Sequence, residues 1–206
     1  MSAATPKPAL RVGITGTRAI AERAVPPLQT AIGALLDHIA THRPAPSALH
    51  ALSPLAEGSD RLLAEAALAR GWHLIAPIPF LPEDYETDFP ATSDHFRSLL
   101  ARATPIVLEG TRADADAAYE AAGHVVVHNC DLLITVWDGH TSNGRGGTAE
   151  IARYAASQGV PIWWLIPDGT TPPRLVRTQE ALTDPTQAPS GPSAFAALTS
   201  FLDRRR

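Results

Sequence analysis

The chain has one lysine, one cysteine and one methionine, and aromatic side chains make up only 6% of its 206 residues. Lys7 sits in a polar N-terminal stretch, so no buried lysine is on hand for Schiff-base chemistry. Cys130 has no partner for an internal disulfide, which suits a reducing compartment, and a cytoplasmic location is expected. Nothing approaches 18 consecutive apolar residues, and Met1 to Pro8 has no apolar signal core, so no membrane is expected as a partner. Positive charge is in deficit, with 17 Lys+Arg against 21 Asp+Glu and a net charge of -4. On that count no nucleic acid is expected to bind. The dinucleotide GxGxxG spacing and the Walker lysine are both missing. What the chain does have is 45% hydrophobic residues with 18% charged ones, enough for one folded domain with a sizeable core.

Short apolar runs alternate with stretches of helical spacing. Strands are expected at Leu10–Thr15, His50–Ser53, Trp72–Ile78, Pro105–Leu108, Asp131–Trp137 and Pro161–Ile166. Helices are expected at Val25–His42, Ser59–Arg70, Asp94–Ala103, Asp114–Val127 and Thr148–Gln158, and residues 80–93 read as an acidic loop. The run from Asp131 is apolar except at Thr135, as a central strand buried on both faces should be. Repeated β-then-α units imply an α/β domain, a mainly parallel sheet covered on both faces in three layers. Residues 1–9 read as a flexible tail and 10–168 as the domain. Residues 169–206 read as a Pro-rich linker with a short helix packing on or extending from it.

Three motifs fall at the carboxyl ends of expected strands, where such sheets bind ligands. The first is Gly13-Ile14-Thr15-Gly16-Thr17-Arg18, in which Gly16 permits a tight turn and Thr17 and Arg18 supply donors. It reads equally as a plain β-α turn with an exposed arginine. The second contains Glu57-Gly58-Ser59-Asp60-Arg61 at a helix start. Its amides suit an anion, whereas Glu57 and Asp60 suit ribose hydroxyls or a base edge; Ser59 or Asp60 also serves simply as a helix cap. The third is Trp137-Asp138-Gly139 followed by Gly144-Arg145-Gly146-Gly147-Thr148-Ala149-Glu150. Three glycines clear Cβ atoms so that backbone amides converge at a helix N-terminus, which makes a phosphate cradle. Asp138 is placed to accept from ribose hydroxyls, and Glu150 either caps the helix or points into the cleft.

Other clusters carry less. His124 and His128 have the i,i+4 spacing of metal ligands without a second ligand set, so no metal and no resident cofactor are expected. Phe80, Tyr85, Phe89 and Tyr119 either stack on a base or pack against the neighbouring helix.

Taken in order, GITGTR, LAEGSDRLLAEAAL, PIPF with DYETDF, HNCDLLITVWDG and GRGGTAEI resemble the SLOG superfamily over roughly Arg11 to Ile166. That superfamily unites the LOG (lysine-decarboxylase-like) proteins, the DprA-like proteins and nucleotide-sensing SLOG domains of the TRPM type. The resemblance implies a Rossmann-like fold and a nucleotide ligand: a nucleoside phosphate, an ADP-ribose or NAD-type molecule, or a signalling nucleotide. LOG enzymes carry a PGGxGTxxE loop. Here Asn143-Gly144-Arg145 replaces its start, and Glu150 falls two residues after Thr148 with Ile151 in the third place.

Two functions follow as expectations. In the first, the chain is a sensor-type module holding phosphate on Gly16, Thr17, Arg18 and the Gly144–Thr148 loop, with ribose at Asp138 or Glu57 and a possible effector protein reading the bound state. In the second, it is an N-glycosidic-bond enzyme of the phosphoribohydrolase or deoxyribosyltransferase kind. Glu150 would then stabilise or attack the sugar carbon while Asp60 or Arg61 orients the sugar. Relatives of this fold commonly dimerise, and the apolar Val25–His42 helix is compatible with an interface in a homodimer or higher homo-oligomer.

Overall fold

The computed structural model describes residues 9–43, 49–140 and 146–205. Strands β1 (Leu10–Gly16), β2 (Leu49–Leu52), β3 (His73–Ile78), β4 (Thr104–Val107), β5 (Leu132–Val136), β6 (Ile162–Leu165) and β7 (Arg174–Val176) form one sheet in the order β4-β3-β2-β1-β5-β6-β7. All neighbouring pairs are parallel except β6 and β7. The expected Asp131 strand is central, and all five residues of β5 are buried. Its side chains alternate between faces. Leu132, Ile134 and Val136 join one core, whereas Leu133 joins the other.

Helices α1 (Val25–His42) and α2 (Ser59–Ala69) lie over the first core. The short α3 (Pro82–Tyr85) and α4 (Ser93–Leu100) add aromatic side chains to that same core. On the opposite face lie α5 (Ala115–Asn129) and α6 (Thr148–Ser157). Pro26 and Pro27 occupy the first turn of α1, where no amide partner is lost. Alanines at 149, 152, 155 and 156 let α6 sit close on the sheet.

The structure departs from expectation in three places. Residues 80–93 are not a loop: Pro82 starts a helical turn whose acidic Glu83 and Asp84 suit its N-terminus, and two 3-10 turns follow. The stretch read as a linker carries β7 and α7 (Gln179–Thr183) ahead of the expected C-terminal helix, α8 (Pro192–Asp203). Leu198, Phe201 and Leu202 of α8 are part of the first core. Finally, the apolar residues of α1 are spent inside the chain. Leu28, Ile32, Leu35, Leu36 and Ile39 are fully buried against α2, α8 and the sheet, so that face is not an interface between copies.

Because β1 lies between β2 and β5, the crossovers leave the sheet towards opposite faces on its two sides. This is the switch point at which doubly wound sheets open a crevice.

Candidate functional site

A cleft of about 800 Å³ opens there, bounded by the carboxyl ends of β1, β5 and β6 and by the start of α6. That is ample for a ligand of nucleotide size. On the β1 side, the amide of Thr17 still bonds the Val136 carbonyl at 3.0 Å, so the chain leaves the sheet only after Thr17. Gly16, Thr17 and Arg18 all line the cleft, and the Arg18 guanidinium lies over the ring of Tyr119, 5.0 Å from its centroid.

On the β5 side, Asp138 lines the cleft while one of its carboxylate oxygens accepts the His140 amide at 2.9 Å. Trp137 is anchored behind it, its indole N–H on the His140 carbonyl at 2.7 Å and its ring stacked on Trp164. Gly144 and Arg145 lie outside the described residues. Gly146 has a φ of 75°, and a Cβ there would come within 2.7 Å of the Glu120 amide nitrogen, so only glycine lets the loop rest on α5. Gly147 is the N-cap of α6, and Gly147, Thr148 and Ala149 line the cleft. The amides and positive dipole end of this first helical turn therefore border the cleft.

The second motif divides. Of its residues only Asp60 lines the cleft, while Glu57, Gly58, Ser59 and Arg61 stand behind its wall. Ser59 donates to the Thr17 carbonyl, and a Cβ on Gly58 would fall 2.4 Å from the Arg18 carbonyl oxygen. Arg61 is buried, donating to the Leu55 carbonyl at 3.1 Å and to the Thr92 hydroxyl at 2.8 Å, with its guanidinium over Phe89. The Thr92 hydroxyl in turn donates to Glu57. These charges hold loops together, so a sugar-orienting role for Arg61 and a ribose-binding role for Glu57 lose their geometric basis.

Glu150 is engaged by the fold as well. It is absent from the cleft lining, and its carboxylate accepts the Gly146 amide at 2.7 Å, closing the loop onto the helix. The capping alternative is the one the backbone realises.

Asp60 differs from its neighbours. It is 6% exposed and forms no ion pair with a described residue. Burial pushes its carboxyl up to about 7, against the pull of the Arg18 and Arg61 charges and a backbone hydrogen bond from Ala56. Tyr85, also at the cleft wall, has its phenol raised by burial and then by the charge of Asp60.

Among the aromatics, Phe80, Tyr85, Phe89 and Phe96 pack as a buried edge-to-face cluster, and of these only Tyr85 reaches the cleft. Tyr119 reaches it from α5 and donates to Asp88 at 2.5 Å. Asp168, beyond β6, lines the cleft without having been singled out; its position after a strand was the available signal. His124 stacks on Tyr154, and the Tyr154 hydroxyl meets His128 Nε2 at 2.6 Å. Among the described residues no group of three or more His, Cys, Asp or Glu side chains is arranged to hold a metal.

No protein-family model and no curated protein matches the chain. Solved structures do. DNA processing protein A (DprA) from Helicobacter pylori is 19% identical with a TM-score of 0.58, over 96% of this chain and 81% of that one. DprA from Streptococcus pneumoniae is 17% identical with a TM-score of 0.54, over 76% of this chain. The match spans only 50% of the Streptococcus chain. The molybdenum cofactor carrier protein from Chlamydomonas reinhardtii is 19% identical with a TM-score of 0.51, over 96% and 99%.

The Helicobacter structure describes a single-stranded DNA binding mode. This overturns the exclusion of nucleic acid, because net charge is a whole-chain sum and a groove needs only local donors. No helix among the described residues is long and apolar enough to cross a membrane. The chain shares a Rossmann-like α/β fold with these DprA and molybdenum cofactor carrier structures.

Proposed function

We propose that the chain binds a phosphate-bearing, nucleotide-type ligand in the cleft between β1 and β5. The observation that carries this reading is the convergence of the first turn of α6, the Thr17–Arg18 turn and Asp138 on one 800 Å³ space. Helix amides and one arginine suit a phosphate, and a carboxylate at a strand end suits sugar hydroxyls. Asp60, Asp138 and Asp168 are the carboxyl side chains among the described residues lining that space, against the guanidinium of Arg18. Such a balance favours a single phosphate group over a long polyphosphate.

Binding without turnover is the better supported form of the reading. The glycosidase alternative asked for Glu150 at the sugar, and that carboxylate is bonded to Gly146.

The test is a thermal-shift panel of nucleoside monophosphates, dinucleotides and a single-stranded oligonucleotide on the full chain, with the supernatants assayed for released base. At about 100 times its dissociation constant a ligand stabilises by about 2.7 kcal/mol, an upward Tm shift of several degrees. The expected result is a saturable shift with a nucleoside monophosphate, no free base, and roughly tenfold weaker binding by Arg18→Ala. No shift with any nucleotide overturns the reading, and base release abolished by Glu150→Ala reinstates the glycosidase.

A further inference from the structure

Asp60 is held in place by its surroundings. Ser59 bonds the Thr17 carbonyl through both its amide, at 3.2 Å, and its hydroxyl, at 2.8 Å. The Ser53 hydroxyl bonds the carbonyl of Asp60 itself at 2.8 Å. Gly16 lets Ser59 approach, since a Cβ there would meet its hydroxyl oxygen at 2.6 Å. The start of α2 is thereby fixed against the end of β1, and one carboxyl side chain is left at the cleft wall with 94% of its surface covered and no described ion-pair partner. Charges on either side are used by the fold: Glu57 through Thr92, and Arg61 through Leu55 and Thr92.

A buried carboxylate with one backbone donor, from Ala56, and no described ion-pair partner keeps most of its accepting capacity unfilled, and such a group is retained where a ligand supplies further donors. Its surroundings describe those donors. Tyr85, Tyr119, Pro54 and Pro79 line the same cleft as a largely apolar wall beside a planar ring, with the Arg18 guanidinium over the Tyr119 ring. Asp60 lies in the first turn of the helix after β2 and Thr148 begins the helix after β5, with β1 between them. Two interstrand spacings are about 10 Å. That is the order of the span from the phosphate of a purine monophosphate to the far edge of its base.

We infer that Asp60 reads the 2-amino-4-oxopyrimidine edge of the ligand's heterocycle, the edge common to guanine and pterins, by accepting its ring N–H and its exocyclic amine together. Two parallel donors match a carboxylate's two oxygens. Adenine instead turns the lone pair of its N1 towards the carboxylate, and hypoxanthine lacks the amine. The raised carboxyl of Asp60 agrees with a group that ionises when those donors arrive. The inference rests on the ligand site proposed above and adds the class of ring that fills it.

The test is calorimetric titration of the full chain, wild type and Asp60→Asn, with GMP, IMP, AMP, XMP and a phosphorylated pterin. Wild type should take GMP or the pterin at least tenfold more tightly than IMP or AMP. Which of the two binds more tightly identifies the source of the edge. In Asp60→Asn the amide both accepts and donates, so preference should turn from GMP to XMP, a gain that a misfolded variant does not produce. Equal affinity for all the purine monophosphates overturns the base-edge inference and leaves the nucleotide site standing. Binding of the pterin alone overturns the nucleotide reading and keeps the edge, and binding of none overturns both. A retained preference for GMP over XMP in Asp60→Asn overturns the role of this residue.

Discussion

Ser59 places both its amide and its hydroxyl on the carbonyl oxygen of Thr17, at 3.2 and 2.8 Å, and so welds the second strand-end motif to the first. The polar residue at this helix start is spent on joining two loops, and it is its neighbour Asp60 that lines the cleft.

That joint is sterically exact enough to test by adding one carbon. Gly58 has a φ of 77°, and a Cβ would lie 2.4 Å from the Arg18 carbonyl. Gly58→Ala should cost about 2–4 kcal/mol in urea unfolding, combining strain at positive φ with a backbone clash. Ser59→Ala keeps the packing and loses one hydrogen bond, so it should cost only about 1 kcal/mol.

Asp60 should make the protein less stable as pH rises. Its carboxyl is raised from 3.8 to about 7 in the fold, so between those values the native state holds a proton that the unfolded chain has lost. Unfolding free energy therefore falls with increasing pH across that window, and the full cost is present above pH 7. Asp60→Asn removes the charged form and should be more stable than wild type by about 2–4 kcal/mol at pH 8, with a smaller gain at pH 5. Chemical denaturation at the two pH values measures this. A loss of stability at pH 8 would show the carboxylate to be structurally paired.

Ligand affinity should follow the opposite course. A donor edge needs ionised Asp60, so binding should weaken about tenfold per unit as pH falls below 7. The charges that interact with Asp60 are Arg18 on the β1 turn and Arg61 on its own helix, with the phenol of Tyr85 from α3. Both arginines stay charged across this range, but the ligand phosphate changes charge at about pH 6 and His140 also lines the cleft, so only the part of the slope lost in the variant reports Asp60. Its loss in Asp60→Asn is the check.

Glu150→Ala should behave as a capping change. Removing the acceptor of the Gly146 amide should cost about 1 kcal/mol of stability and shift nucleotide affinity by less than threefold. A loss of affinity of a hundredfold with stability unchanged would return this carboxylate to the ligand.

How much of this was legible in the chain depends on range. The central strand β5 is readable because burial on both faces leaves an unbroken apolar run, and α1 because Leu28, Ile32, Leu35 and Ile39 share one face. Strand β7 is not readable: it has three residues, follows Pro172 and Pro173, and owes its existence to pairing with β6. The glycines at the strand ends are readable because a backbone that must approach another closely needs glycine wherever it occurs, and of these Gly16, Gly146 and Gly147 line the cleft. The direction of Glu150 is another matter. A carboxylate in the first turn of a helix reaches either its own loop or the ligand, and only the path of Gly146 over α5 decides. The burial of Asp60 is equally invisible locally, since it follows from the contact between the β1 and β2 loops, more than 40 residues apart in sequence.

The most direct measurement is a crystal structure of the chain with GMP bound. The phosphate should lie on the amides of Gly147 and Thr148 near Arg18, the ribose beside Asp138, and the guanine edge on the Asp60 carboxylate. A nucleotide bound elsewhere, or one lying with its base against the start of α6 and its phosphate towards Asp60, would contradict this arrangement.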